Sequence, residues 1–337
     1  MADITFPDRP LRRAFIAGVG ASIPERILTN HDLEQMVETS DEWITERTGI
    51  KERRIARDDQ PTSDLAAEAA TNALQEAGCR PEDLDLIICA TISGDVQLPA
   101  TACYVQDAIG ATAPAFDISA ACTGFIYGLA IGSQFIQTGA CNNVLVIGAE
   151  KLSAFTDWTD RATCVLFGDG AGAALLRPCP PDRGLLEFEL GTDGKGAELL
   201  IVTAGGSRCP TTHATVDAGG QYIRMGGREV FKFAAKALAD SSLSVLQKAG
   251  VAPSDVALVI PHQANQRITE AATKRLGLPP ERVWSNIARY GNTSSASIPI
   301  ALREALDAGR IQDGDYVVLT GFGGGLTWGA CLIKWGP

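Results

Sequence analysis

Among the nine cysteines of this chain (79, 89, 103, 122, 141, 164, 179, 209 and 331), Cys122 has the surroundings of a nucleophile. It sits in Ser119-Ala-Ala-Cys-Thr-Gly-Phe125, between the apolar run APAFDI and the helix-like run IYGLAIGSQFI. A cysteine at the first turn of a buried helix faces unsatisfied backbone N–H groups and the positive end of the helix dipole, and both favour the thiolate. Ala120, Ala121 and Gly124 leave room for a substrate to reach the sulfur. A structural cysteine at a helix start is the competing reading. The others, such as Cys89 in LIICAT and Cys331 in GACLIKW, read as small buried hydrophobes. An odd count with no C-x-x-C pair argues against a disulfide framework or a zinc cluster and suits a reducing cytoplasm.

A base or hydrogen-bond partner must come from few residues, because there are only three histidines. Asn30 or His31 reads as the cap of a surface helix, and His213 falls in the turn-rich CPTTHATVDAGG. His262 differs: it follows the buried-strand pattern VALVIP, at the strand end where open α/β sheets place ligands. A packed histidine is equally consistent with that position. Asn292, after Gly291, stands at a second helix start and reads either as an amide donor to a carbonyl or as an N-cap. The run Gly321-Phe-Gly-Gly-Gly-Leu326 lets backbone N–H groups approach a ligand closely. Its spacing is not that of a dinucleotide-binding loop.

The elements that must position these groups alternate strand-like and helix-like patterns, which predicts an α/β architecture. The chain also repeats itself. Leu74-Gln-Glu-Ala-Gly-Cys-Arg-Pro-Glu-Asp83 precedes one buried strand, and Leu246-Gln-Lys-Ala-Gly-Val-Ala-Pro-Ser-Asp255 precedes another, 172 residues later. Carried forward, that offset pairs Cys122 with Ser294 in GNTSSAS. Two fused copies of one unit are expected, residues 1–180 and 181–337, with a seam in the proline-rich RPCPPDRG. A net charge of −11 disfavours nucleic acid or an anionic membrane as partner. The absence of an apolar run of about 18 residues fits a soluble, cytoplasmic protein.

Six long motifs give the chain a resemblance to β-ketoacyl-acyl-carrier-protein synthase III enzymes of the thiolase superfamily. They are TSDEWITERTGIKERRIA, AFDISAACTGF, FGDGAGAALL, PHQAN, YGNTSSASIPIAL and FGGGLTWG, in order along nearly the whole length. The resemblance implies a thiolase-like fold, two duplicated α/β halves in a five-layered α-β-α-β-α core. It implies that Cys122 takes an acyl group from acyl-CoA, and that His262 and Asn292 hydrogen-bond the thioester carbonyl of malonyl-acyl-carrier protein. The N–H groups of Cys122 and Gly324 would form the oxyanion hole. Trp43, Arg47 and Arg161 would hold the CoA adenine and phosphates, and Phe231 and Asn265 would line the pantetheine tunnel. No metal or redox cofactor is implied. A homodimer is, with Leu98 ending the acyl pocket across its interface where acetyl-preferring relatives often carry an aromatic.

Arg228, Lys232, Arg267, Lys274 and Arg275 fall in two helical stretches and form a candidate docking patch for an acidic carrier protein; each also reads as an ordinary solvated residue. Cys-His-Asn favours the initiating synthase over the elongating enzymes, which use two histidines. A related enzyme of secondary metabolism with another acceptor, a non-catalytic partner subunit and a Cys-His hydrolase are the alternatives.

Overall fold

The computed structural model describes residues 12–337. Strands β1 (Arg13–Ser22), β2 (Leu86–Ala90), β3 (Ala115–Ile118), β4 (Val144–Glu150) and β5 (Gly170–Cys179) make one sheet in the order β1-β5-β4-β2-β3. Strands β6 (Gly184–Thr192), β7 (Val256–Pro261), β8 (Tyr316–Gly323) and β9 (Thr327–Lys334) make a second, ordered β6-β9-β8-β7. The second order repeats the first without its edge strand. In each sheet the strands nearest the site run parallel, β2 with β3 and β4, and β7 with β8.

Six helices cover the sheets or carry site residues: α1 (Asp41–Thr48), α2 (Thr62–Glu76), α3 (Gly124–Gln137), α4 (Gly227–Ala249), α5 (Gln266–Leu276) and α6 (Ser297–Asp307). Helices α3 and α6 lie between the sheets. Phe125, Ile126 and Leu129 of α3 and Ile298, Ala301 and Leu302 of α6 share one core with Ile88 and Val146 of the first sheet and Ile260 and Leu319 of the second. The outer faces are covered as well. Ile87, Cys89, Leu145 and Ile147 pack beneath the alanine stripe Ala66, Ala69, Ala70 and Ala73 of α2. Val256, Val259, Val318 and Leu332 pack with Ala239, Val245 and Leu246 of α4 and Leu276 of α5. Sheets covered on both faces need apolar side chains at every position, which is why LIICA and VLVIGAE show no alternation. The result is five layers, α-β-α-β-α.

The repeat is not perfectly periodic. The 3-10 turns Pro81–Asp83 and Pro253–Asp255 keep the 172-residue spacing, whereas the turns Ala121–Thr123 and Ser294–Ala296 stand 173 residues apart. One residue has been added in between, so Ser294 is the counterpart of Ala121 and Cys122 is matched by Ser295. Ala121 and Ser294 share the same rare left-handed backbone, with φ of +46° and +47°. Where the halves meet, β4 carries Gly148, and a side chain there would run into the Ser295 carbonyl.

Two local expectations change. Thr29 caps the helix Asn30–Glu34, through a reciprocal bond pattern with Asp32, while the Asn30 side chain is buried. His213 opens a short exposed helix, His213–Asp217, instead of lying in a loop.

Candidate active site

Cys122 lies in the 3-10 turn Ala121–Thr123 that leads from β3 into α3. Its side chain is buried at a cavity of about 440 Å³ whose wall includes Ala121, Phe167, Leu200, Ser294, Gly324 and Thr327. A helix start favours the thiolate, but burial outweighs it here. Burial pushes the thiol up to about 12, and the Ser294 side chain beside it pulls the other way. The second half presses closely on this turn. A Cβ on Gly323, the last residue of β8, would stand 2.7 Å from the Cys122 nitrogen, so only glycine permits the approach. Thr123 Oγ1 donates to Thr327 Oγ1 at 2.9 Å, tying the Cys122 turn to the hairpin that bears Gly324.

His262 follows β7 directly and is fixed to the sheet by its own N–H, which donates to the Thr320 carbonyl of β8 at 2.7 Å. Its Nδ1 lies 2.6 Å from Ser297 Oγ at the head of α6, and its Nε2 is buried without a partner. Burial drives its pKa down to about 3, so the ring is neutral at physiological pH. Asn292 is clamped by a loop of the first half: its N–H donates to the Leu166 carbonyl and its carbonyl accepts from Gly168 N–H. Its Oδ1 accepts from the Ser294 N–H at 2.9 Å, which directs the amide NH2 away from that turn. Asn292 is therefore not the N-cap of α6; it precedes the 3-10 turn that precedes the helix.

Beneath the two turns lies a fully buried carboxyl. Glu150 Oε2 accepts from Ile92 N–H and from Ser93 Oγ at 2.6 Å. Its Oε1 is 2.8 Å from Ser295 Oγ, which is also 2.8 Å from the Ala90 carbonyl. Ser295 Oγ donates here, its one proton shared between the two acceptors. Burial raises the Glu150 pKa, while the bonds from Ser93, Ser295 and the Ile92 N–H pull it back down.

This arrangement offers a buried thiol, a neutral imidazole, a directed amide and a glycine-built backbone edge at the junction of two repeated halves. Comparison with known proteins agrees. Residues 116–194 match the family 3-oxoacyl-[acyl-carrier-protein (ACP)] synthase III, and residues 246–335 match its C-terminal region. The beta-ketoacyl-[acyl-carrier-protein] synthase III of Symbiobacterium thermophilum is 54% identical, covering 97% of this chain and 99% of that protein. That of Caldanaerobacter subterraneus is 55% identical, covering 96% and 98%. The crystal structure of 3-oxoacyl-[acyl-carrier-protein] synthase III from Aquifex aeolicus superposes with a TM-score of 0.88 at 50% identity, covering 96% of this chain and all of that one.

The chain belongs to the 3-oxoacyl-[acyl-carrier-protein] synthase III family.

As a synthase III it is a condensing acyltransferase with a thiolase-like fold. The remaining residues singled out from the sequence lie elsewhere on this synthase. Trp43, on α1, is flanked by the guanidinium groups of Arg47 and Arg161, 4.8 and 5.0 Å from its ring centre. Asn265 caps α5 and its Nδ2 donates to the Arg47 carbonyl at 3.1 Å, so it bridges to the Trp43 cluster. Phe231 lies under Arg267, with 5.8 Å between guanidinium carbon and ring centre. Arg228, Lys232, Arg267, Lys274 and Arg275 lie on the paired helices α4 and α5, and Arg275 is bound to Asp240. Leu98 is 87% exposed. Neither Trp43, Phe231, Asn265 nor Leu98 lines the cavity at Cys122.

Sequence reasoning passed over Ser297 and Glu150 as parts of the site, whereas Gly323 falls in the glycine run it singled out. It also passed over Arg53, a fully buried guanidinium that donates to the carbonyls of Leu28 and Val165 and to Asn30 Oδ1, bracing the loop below Asn292. The serine-rich GNTSSAS was the one visible signal.

Proposed function

We propose that this synthase starts fatty-acid chains by a two-stage condensation in which Cys122, His262 and Asn292 each have a separate task. The observation that carries this is a cavity-lining thiol in a chain that also holds, at the end of β7 and outside the lining of that cavity, an imidazole that burial keeps neutral. A neutral ring with a buried, unpaired Nε2 is suited to hydrogen-bond a carbonyl oxygen. In the first stage the Cys122 sulfur adds to the acyl-CoA carbonyl. The N–H groups of Cys122 and Gly324 hold the oxyanion, the C–S bond to CoA breaks, and CoA leaves. In the second, malonyl-acyl-carrier protein loses CO2. The electron pair freed from the C–C bond is held as an enolate whose oxygen accepts from His262 and Asn292. Its carbon then attacks the acyl thioester, forming the new C–C bond and releasing the Cys122 thiolate with 3-oxoacyl-acyl-carrier protein. Because the departing carboxylate supplies the electron pair, the scheme calls on no metal or redox cofactor.

The same reading gives Trp43, Arg47 and Arg161 to the CoA adenine and phosphates, with Asn265 and Phe231 along the pantetheine path. It gives the cations of α4 and α5 to carrier-protein docking. A homodimer completes it, supported by the exposed apolar residues Ile92, Val96 and Leu98, of which Ile92 also lines the cavity. Leu98 would close the acyl pocket of the partner. The boundary between halves is placed near residue 180, between β5 and β6, and a cytoplasmic location suits nine free cysteines. Among the described residues no helix is long and apolar enough to cross a membrane.

Intact-protein mass spectrometry with a panel of acyl-CoAs tests the scheme. Wild-type protein should gain one acyl mass and lose it on adding malonyl-acyl-carrier protein. Cys122→Ser should gain none under the same conditions, and an unchanged acyl adduct in that variant would end the proposal.

A further inference from the structure

Cys122 presents a difficulty that its own turn does not resolve: a thiol this deeply buried resists ionisation, yet the chemistry needs the sulfur anion. The titratable group whose charge reaches it is Glu150 at the end of β4, and an ionised Glu150 would oppose the thiolate. Burial raises the Glu150 pKa and so weakens that opposition. His262, at the end of β7, is neutral and supplies no positive charge. Of the hydroxyl-bearing residues in the cavity wall, Ser119, Ser294 and Thr327, Ser294 is the one whose buried oxygen has no partner in the protein.

The Ser294 side chain is 1% exposed, and its Oγ is one of the few buried polar atoms among the described residues with no hydrogen-bond partner in the protein. It lines the same cavity as Cys122. Nothing in the local fold calls for the hydroxyl. The Ser294 main-chain N–H, not its side chain, holds Asn292 Oδ1, and Glu150 is held chiefly by Ser93 and Ser295, with Ser294 the least of its hydroxyl neighbours. The left-handed φ of +47° is matched by Ala121 in the first half at +46°, so alanine meets the same backbone demand without an oxygen. A buried donor left unpaired destabilises the fold, and a partner appearing only in the working state would offset that cost.

We propose that the Ser294 hydroxyl donates a hydrogen bond to the ionised sulfur of Cys122 and so acts as a further catalytic side chain of the acylation stage. The sulfur anion is the acceptor that the resting thiol does not offer well. A hydrogen bond to a charged acceptor is about twice as strong as one between neutral groups. Ser294 therefore works in two ways: its main chain aims Asn292, and its side chain favours the reactive form of Cys122. The inference rests on Cys122 being the nucleophile of the proposed condensation.

The test is carbamidomethylation of Cys122 by iodoacetamide in the full-length protein, followed by peptide mass spectrometry between pH 6 and 10, on the lower limb of the pH–rate curve where the rate follows the thiolate fraction. Ser294→Ala should slow the reaction about tenfold at every pH on that limb, which corresponds to an upward shift of about one pH unit. Ser294→Gly, which tolerates positive φ even more freely, should do the same and carries the test if the alanine variant folds poorly. A rate equal to wild type in a folded variant would overturn the proposal. A slowed reaction in a protein that forms no acyl-enzyme would leave the hydrogen bond standing and remove the acyl-transfer reading instead.

Discussion

Ser297 Oγ lies 2.6 Å from His262 Nδ1, and this contact decides which imidazole nitrogen carries the proton. Among the described residues His262 Nδ1 is the one acceptor within reach of the Ser297 hydroxyl proton, because the other partner of Ser297 Oγ, the Gln263 N–H at 3.4 Å, is itself a donor. Nδ1 is then the acceptor, and the hydrogen sits on Nε2, the buried atom with no protein partner. The head of α6 thereby fixes the tautomer that can donate to a thioester carbonyl. A second-half helix sets the tautomer of a histidine on a second-half strand, while the proposed nucleophile, Cys122, comes from the first half.

Ser297→Ala removes this orientation without touching Cys122. Decarboxylation of the malonyl thioester should fall about tenfold or more, whereas formation of the acyl-enzyme should stay within about threefold of wild type. The two stages are read separately, one by CO2 release and the other by intact mass. Equal losses in both would mean that Ser297 only supports the fold.

Burial of His262 also links stability to pH. Its folded pKa of about 3 lies below the unfolded value of about 6.5, so the folded state binds its proton less readily. The stability that the neutral ring contributes is complete above pH 6.5 and is lost as pH falls toward 3. Urea midpoints should decline over that range in wild type and decline less in His262→Gln, which cannot titrate. Parallel curves for the two proteins would contradict the assignment.

Much of this arrangement was legible beforehand, for identifiable reasons. The continuous apolar run VALVIP marked a strand covered on both faces, and a histidine at its end follows from that pattern. Cys122 stood out because its neighbours are small. The repeat was visible through helix-turn-strand units that keep their spacing, but the inserted residue before Ser294 was not, since no pattern marks where one residue joins a loop. Ser297, Ser294 and Glu150 owe their importance to contacts made only in the folded chain. Ser295 and Glu150 are 145 positions apart and meet only once the sheets stack. Thr29 displaced Asn30 as a helix cap because Asn30 is drawn inward to the buried Arg53.

Gly323 tests how closely the halves must approach. A methyl group 2.7 Å from the Cys122 nitrogen must displace either β8 or the nucleophile turn. Gly323→Ala should cost about 1–3 kcal/mol of stability, as overpacking does. It should also slow acylation by about 10²-fold, the loss seen when one oxyanion donor is misplaced. Denaturant titration and the rate of acyl-adduct formation measure the two effects. A variant as stable and as fast as wild type would show that the turn has slack that the geometry denies.

Trp43 offers a test of the proposed CoA site. Its indole ring is flanked by two guanidinium groups, Arg47 at 4.8 Å and Arg161 at 5.0 Å. Arg161 is also held by the Glu38 carbonyl at 2.9 Å, which keeps it poised at the ring. Such a cluster suits a flat heteroaromatic ring bearing phosphates, through stacking and charge-assisted bonds. Trp43→Ala should raise KM for acyl-CoA about tenfold with little change in kcat, because the contact is equal in ground and transition states. An acyl-N-acetylcysteamine thioester has the same reactive carbon but no adenine or phosphate. Its KM should not respond to the substitution. A similar rise for both substrates would place the effect of Trp43 in the packing of α1 and not in recognition of the nucleotide.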